Sequence, residues 1–419
     1  MSRIRFLHTA DLHLGASFTR LYEKVPDSWT AILQRAADEV LARIVDVALE
    51  QHVDVVTIAG DLFDAPDPPV SAQYEALRQF KRLAKADVMV VLTHGNHDAS
   101  MRAPLFAWPE NVHVLAAPDN TTDVQDICLQ IHSLNVQFSG FSYVSSELYG
   151  AQVAQFHRMP TIDVAVALYH GQVGPSSGRH AAYAAASVRQ LAEQSSFDVW
   201  ALGHLHGYAE LHPQHPLILY PGAPQGRDSS ETGAHGVALI DVEATKPCVA
   251  TFVPTAGVEW TKISIDVSDS QGLEDVWQSI RAYYRGIVPS TPQVIHLHLH
   301  GYTPLHALYA NPETGTVLQA AADDEGWPLW IHRYTTACQA ELDWHVWEQS
   351  DGYVGALLRL LEQMDANAED FIAEILTELD SPEAELVMQT LASGAEQKAD
   401  VIMQTRQILL SAMNAEQPV

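Results

Sequence analysis

Five short runs of β-branched and apolar residues each end abruptly in side chains that bind metals, and that repetition limits what this chain can fold into. The runs are Ile4 to Thr9, Val53 to Ala59, Val88 to Thr93, Ile162 to Tyr169 and Phe197 to Leu202. Short apolar runs of this kind read as strands buried on both faces of a mostly parallel sheet. In turn they deliver Asp11 and His13, Asp61 and Asp64, Asn96-His97-Asp98, His170, and His204 with His206. Helical patterns lie between the first three, at Trp29 to Gln51 and at residues 71 to 86. This β-loop-α alternation predicts α/β architecture with successive loops on one edge. In open α/β sheets that carboxyl edge is where ligands bind.

Each motif alone has a plainer explanation. Gly95-Asn96-His97-Asp98 is good turn chemistry, because Asn and Asp tolerate left-handed backbone and hydrogen-bond to it. Turn chemistry does not explain why all five strand ends carry Asp, Asn or His. Converging ligands from separate strands predict one shared divalent-metal site. The mixture of carboxylate, amide oxygen and imidazole suits Mn²⁺ or a similar first-row ion better than a thiolate-loving one.

With 419 residues, 47% of them apolar, the chain suits two or three domains with well-packed cores. No stretch approaches the roughly 18 uninterrupted apolar residues of a membrane span. The apolar run after Arg3 and Arg5 is broken at once by His8, Asp11 and His13, which excludes a signal peptide. Cys128, Cys248 and Cys338 are far apart and form no C-x-x-C pair, which fits a reduced cytoplasmic protein without a disulfide framework. The net charge of -29 opposes unaided binding to a polyanion. The excess is uneven: residues 1–258 carry 16 basic and 27 acidic side chains, and residues 259–419 carry 7 and 25. Bound divalent ions would offset some of it locally.

The order D-x-H, G-D-x-x-D, G-N-H-D, a lone H-G and G-H-x-H resembles the calcineurin-like metallophosphoesterases. The wording from His8 to Gly15 and from Gly60 to Asp64 resembles the SbcD-type DNA repair exonucleases, and Tyr220 to Arg227 (YPGAPQGR) their YhaO-like branch. The motifs cover roughly residues 1–258. The resemblance implies a metallophosphoesterase β-sandwich flanked by helices over 1–258, a small α/β capping domain over 259–345, and a helical partner-binding region over 346–419. It implies two divalent ions bridged by Asp61, one held also by Asp11, His13 and His206 and the other by Asn96, His170 and His204. Two such ions clamp a phosphate and supply a nucleophile at neutral pH. His97 is implied to contact the phosphate and assist the leaving group, and an imidazole with an ordinary pKa of about 6.5 suits proton transfer. Asp64 and Asp98 are left to orient an imidazole or a ligand loop.

Several other features have a bland reading beside a functional one. Arg78, Lys81, Arg82 and Lys85 form one basic stripe that either follows a DNA backbone or is a solvated helix face. His296, His298 and His300 alternate with Leu, so a strand would show all three on one face, and that spacing either binds a metal or, with no carboxylate beside it, is the exposed side of a strand in a chain rich in His. Trp327, Trp330, Trp344 and Trp347 either stack on bases or pack in a core. After residue 258, Val258 to Val267 and Gln293 to His300 read as strands and Leu273 to Arg285 as a helix. Beyond about residue 346 the pattern is helical, with apolar faces at Leu357, Leu358, Leu361 and Met364 and at Phe371, Ile372, Ile375, Leu376 and Leu379. Such faces either pack on the cap or, as the resemblance implies, grip the coiled-coil root of an SMC-like ATPase.

The expected function is a metal-dependent DNA nuclease hydrolysing phosphodiesters in DNA repair, the catalytic subunit beside that ATPase. The alternatives are a phosphodiesterase or phosphatase on small phosphoesters such as cyclic nucleotides, which suits the acidic surface better, and a scaffold without turnover. Homodimerisation is left open by the sequence.

Overall fold

The computed structural model describes residues 3–16, 25–99, 104–174, 183–194, 196–243 and 246–340. The predicted runs all become strands: β1 (Arg3–Thr9), β2 (Val55–Ala59), β3 (Met89–Thr93), β7 (Val164–His170) and β8 (Val199–Gly203). To them the fold adds β4 (Val112–Val114), β5 (Gln125–Ile131), β6 (Leu134–Gly140), β9 (Ala209–His212), β10 (Leu217–Tyr220), β11 (Gly236–Glu243) and β12 (Val249–Pro254). Two six-stranded sheets result, in the orders β12-β11-β1-β2-β3-β4 and β5-β6-β7-β8-β10-β9. The five predicted strands are central and pair in parallel with their predicted neighbours, β1 with β2, β2 with β3 and β7 with β8. The outer strands β12 and β5 pair antiparallel with β11 and β6. Both sheets are therefore mixed. The added strand β5 alternates in exposure, so it lacks the continuous apolar run that betrays a doubly buried strand.

One core lies between the sheets, where Phe6, Val55 and Val91 of the first meet Phe138, Val166 and Val199 of the second. A second core covers the other face of the first sheet with helices α2 (Val40–Glu50) and α3 (Val70–Lys85). The helix predicted at Trp29 to Gln51 is two, because α1 (Asp27–Asp38) ends at Glu39, whose φ of -97° and ψ of 5° interrupt it. The break lets two apolar faces meet different cores. Ile44 and Val45 of α2 join the sheet, whereas Trp29, Leu33 and Ala36 of α1 pack with Val258, Trp260, Val294 and Trp330.

The remaining described elements are the short helix α4 (Val188–Glu193), strands β13 (Glu259–Asp266), β14 (Gln293–Tyr302) and β15 (Leu329–Gln339), which form a third sheet in that order, and helices α5 (Leu273–Tyr283), α6 (His306–Ala310) and α7 (Glu313–Asp324). The described residues divide into two compact units, one within Met1–Ser264, Trp277–His298 and Gly315–Thr335, the other within Ile265–Val276, Leu299–Thr314 and residues 336–340. Inside the second unit, Ser270 and Tyr309 join hydroxyls at 2.7 Å, and Thr314 donates to the Leu308 carbonyl. Among the described residues no helix is long and apolar enough to cross a membrane. The helical region expected over 346–419, with Trp347, lies outside the described residues, as does Trp344.

Candidate metal centre

The loops after β1 and β2 continue their strands' pairing past the sheet edge. Asp11 donates its N–H to the Gly60 carbonyl at 3.2 Å, His13 to that of Asp61 at 3.0 Å, and Leu14 to that of Leu62 at 2.9 Å. The second sheet ends beside them: the His204 N–H donates to the Asp11 carboxylate at 3.0 Å, and His170 donates from Nδ1 to the Ala59 carbonyl at 2.8 Å. Side chains from both sheets thus converge.

Asp61 is the hub. Its Oδ2 lies 3.5 Å from His170 Nε2 and 3.8 Å from His13 Nε2, and its Oδ1 accepts the His97 N–H at 2.9 Å. Asn96 Oδ1 lies 3.0 Å from His170 Nε2 and 3.2 Å from His204 Nδ1. Among the described residues, ligand atoms close enough to share an ion occur in three groups: Asp11, His13 and His206; His13, Asp61 and His97; and Asp11, Asp61 and His170. The expected first set is therefore one compact group. The expected second set is assembled around Asn96 instead.

This donor set fits a cation better than it fits itself. With His170 Nδ1 tied to a carbonyl, Nε2 is the nitrogen that faces two oxygens at once, those of Asp61 and Asn96. His13 is 3% exposed, yet neither ring nitrogen makes a hydrogen bond, although Nδ1 lies 3.1 Å from Asp64 Oδ1 off the bonding direction. Buried polar atoms without partners are costly unless something absent from the protein satisfies them. Burial lowers the His13 pKa to about 4, keeping the ring a neutral donor. Burial, and then the carboxylates of Asp98 and Asp11, push Asp61 well above the usual carboxylate range, so its charge needs a cation beside it.

Backbone strain accompanies the cluster. Asp11, His13, Asp61 and His204 all have positive φ, at 55°, 49°, 52° and 101°. Such values are uncommon outside glycine and cost about 1 to 3 kcal/mol each, so they persist only where the surroundings fix them. Gly95 is required by proximity, since a Cβ there would strike Asp61 Oδ1 and lie 2.8 Å from the His170 ring.

Asp98 is fully buried and binds two loops together, accepting the Gly95 N–H at 2.7 Å and the Phe63 N–H at 3.3 Å. Asp64 lies 3.7 Å from His97 Nδ1, whose N–H donates to the Asp64 carbonyl at 3.2 Å. The His97 side chain is 43% exposed, and its ring meets that of His13 edge-on at 4.5 Å. It stands at the mouth of the cluster.

Two participants were not among the expected site residues: Glu231 has no sequence signal of its own, and Arg227 only closes the Tyr220 to Arg227 run. Glu231 binds His206 Nδ1 and sits in a polar turn without periodicity. Burial would raise its carboxyl, but the bond from His206 and the charges of His206 and Arg227 bring it down to about 2. Arg227 lies 3.2 Å from Asp64. A third, His8, stands within the first motif but has no role there until the fold is seen. It is buried, bonded to Thr57 Oγ1 at 3.1 Å and donating to the Leu202 carbonyl at 2.9 Å, which ties the two sheets just below the site.

The other candidates fall elsewhere. In the basic stripe, Arg78 pairs with Glu75 and Arg82 with Asp46. Trp330 is buried against Trp29, and Trp327 against Trp277. His296 and His298 both bond Thr335 Oγ1 at 2.9 Å, and with His300 they join no ligand group among the described residues.

Residues 4–208 match the family described as Calcineurin-like phosphoesterase. The Bacillus subtilis protein called "Uncharacterized metallophosphoesterase YhaO" is 30% identical over 78% of this chain and 81% of its own length. The "DNA double-strand break repair protein Mre11" of Sulfolobus acidocaldarius is 22% identical over 72% of this chain and 76% of its own. A component of the SbcCD nuclease of Rhodobacter capsulatus is 36% identical over 27% of this chain and 26% of its own. The chain belongs to the calcineurin-like phosphoesterase family, which makes it a hydrolase of phosphoesters whose His/Asp cluster can hold divalent metals.

Proposed function

We propose that this protein is a Mn²⁺-dependent DNA nuclease of DNA repair, acting in the cytoplasm as the catalytic subunit beside an SMC-like ATPase. The observation that carries the phosphodiester chemistry is Asp61, whose one carboxylate oxygen lies within 4 Å of imidazoles from both sheets, as a bridging ligand requires. Asp11, His13 and His206 would hold one ion with it, and Asn96, His170 and His204 the other. Once bound, such ions neutralise charge growing on phosphorus and activate the attacking water.

The chain's own residues do the rest. His97 is held from behind by its N–H to Asp61 and by its Nδ1–H to the Asp64 carbonyl, so Nε2 is the nitrogen turned outward to donate a proton to the leaving oxygen. The Asp64 carboxylate lies 3.7 Å from the same Nδ1 and adds to the hold on the ring. Asp98 keeps the Gly95 to His97 loop against the Asp61 loop, fixing ligand and acid together. DNA as substrate is supported by the names of the relatives, which speak of double-strand break repair and of a nuclease. The net charge of -29 supports a partner that supplies the grip on DNA. In this reading residues 259–345 cap the site and residues 346–419 bind the ATPase.

The test is hydrolysis of linear duplex DNA, single-stranded DNA and bis-p-nitrophenyl phosphate with added Mn²⁺, with Asp61→Ala as control. DNA cleavage that disappears in Asp61→Ala is the expected result. Cleavage of the small diester alone, persisting when the ATPase is added, would favour a phosphodiesterase of small phosphoesters.

A further inference from the structure

The segment from Gln225 to His235 touches the cluster at two points and is fixed at its far side, an arrangement the motifs do not account for. Glu231 engages with both oxygens: one binds His206 Nδ1, and the other accepts the Arg227 N–H at 2.7 Å. The Arg227 guanidinium reaches Asp64 Oδ1 at 3.2 Å, and that same oxygen lies 3.1 Å from His13 Nδ1 and 3.7 Å from His97 Nδ1. Trp260 holds the segment from behind. Its Nε1–H donates to the Gly226 carbonyl at 3.0 Å, and its carbonyl accepts the Gly233 N–H at 2.9 Å. Gln225 adds a bond to the Val258 carbonyl and accepts the Gly257 N–H.

We propose that Arg227 and Glu231 are positioning residues of the metal centre, forming one arm that fixes imidazoles from three different loops. This rests on the metal-dependent reading above. Glu231 sets the His206 ring, because a ring whose Nδ1 is tied to a carboxylate can turn only Nε2 toward Asp11 and His13. Arg227 holds the Asp64 side chain, whose Oδ1 lies against the rings of both His13 and His97. The Glu231 and His206 side chains are 15% and 14% exposed, so that contact is sheltered from the screening that makes surface pairs weak, whereas Arg227 and Asp64 meet nearer to solvent. A merely structural ion pair would need neither carboxylate oxygen nor guanidinium to end on residues of the ligand cluster.

The experiment titrates metal-free protein with Mn²⁺ by calorimetry, comparing wild type with Glu231→Gln, Glu231→Asp and Arg227→Gln. Arg189→Gln, an exposed arginine paired with Glu193 far along the chain, serves as control. We expect Glu231→Gln to weaken one of two binding events about 10- to 100-fold and to leave the other alone. Excess Mn²⁺ should then restore its turnover, whereas Arg227→Gln should stay slow at saturating Mn²⁺ because His97 has lost its support. Wild-type isotherms in all three variants would overturn the arm and leave the metal reading standing. A wild-type protein that binds no divalent ion would overturn both. Should Glu231→Gln lose its circular dichroism signal, Glu231→Asp and Arg227→Gln decide by the same criterion.

Discussion

His97 and His8 are both histidines of recognisable motifs, and their surroundings give them opposite tasks. His97 is half in solvent at the mouth of the cluster, held by its backbone and one ring nitrogen, which suits a group that must exchange a proton. His97→Ala should keep both metals and lower kcat about 10²- to 10⁴-fold, the usual contribution of a general acid. Metal content measured beside turnover checks this, and a variant with less metal but near-normal residual activity would mean the role is misassigned. His8 is fully buried, and burial lowers its pKa from 6.5 to about 4. The unfolded chain therefore binds a proton that the folded chain refuses, so this contribution is fully present above pH 6.5 and is lost as pH falls toward 4. It amounts to on the order of 3 kcal/mol. The urea midpoint of the wild type should drop between pH 7 and pH 4.5, and that of His8→Gln should drop less. Parallel curves would show that His8 does not titrate with unfolding.

Among the elements, α1 shows how packing overrides a continuous helical pattern. Trp29 to Gln51 has one unbroken helical periodicity, but the two halves have apolar faces for different cores, and the chain breaks at Glu39 to satisfy both. Leu33 is fully buried in the core that α1 shares with Trp260 and Trp330. Leu33→Ala should cost about 2 to 5 kcal/mol in chemical denaturation, the range for a buried leucine that leaves a cavity. A loss below about 1 kcal/mol would mean that α1 is docked loosely. The strands were easier to foresee than this helix, because a central parallel strand is buried on both faces and its apolar run is continuous. Strands such as β5, wet on alternate positions, carry no comparable signal.

For the whole molecule, the crowding of Asp11, Asp61 and Asp64 around the buried His13 ring, whose nitrogens make no hydrogen bond, makes a bound cation part of the fold's stability. Chelation should lower the thermal midpoint and Mn²⁺ restore it, since an ion at about 100 times its Kd stabilises by about 2.7 kcal/mol. The shift should shrink in Asp61→Ala, and an equal shift there would place the ion elsewhere. Truncation at residue 346 should abolish association with the ATPase and spare hydrolysis of a small diester; a truncated chain that still binds the ATPase would remove that role from the C-terminal region. Residue order and apolar patterning sufficed to identify the α/β class, the five strands that carry the cluster and the residue types converging there, because strand burial and ligand chemistry are both written locally. The partners of those residues were decided only by tertiary structure. Glu231 is 25 positions from the His206 it orients, and Arg227 is 163 from Asp64. Glu231 has no periodicity or motif to mark it, and Arg227 only closes the Tyr220 to Arg227 run without a stated role, since their contacts depend on where β10 and β11 return the chain to the site edge rather than on their immediate neighbours.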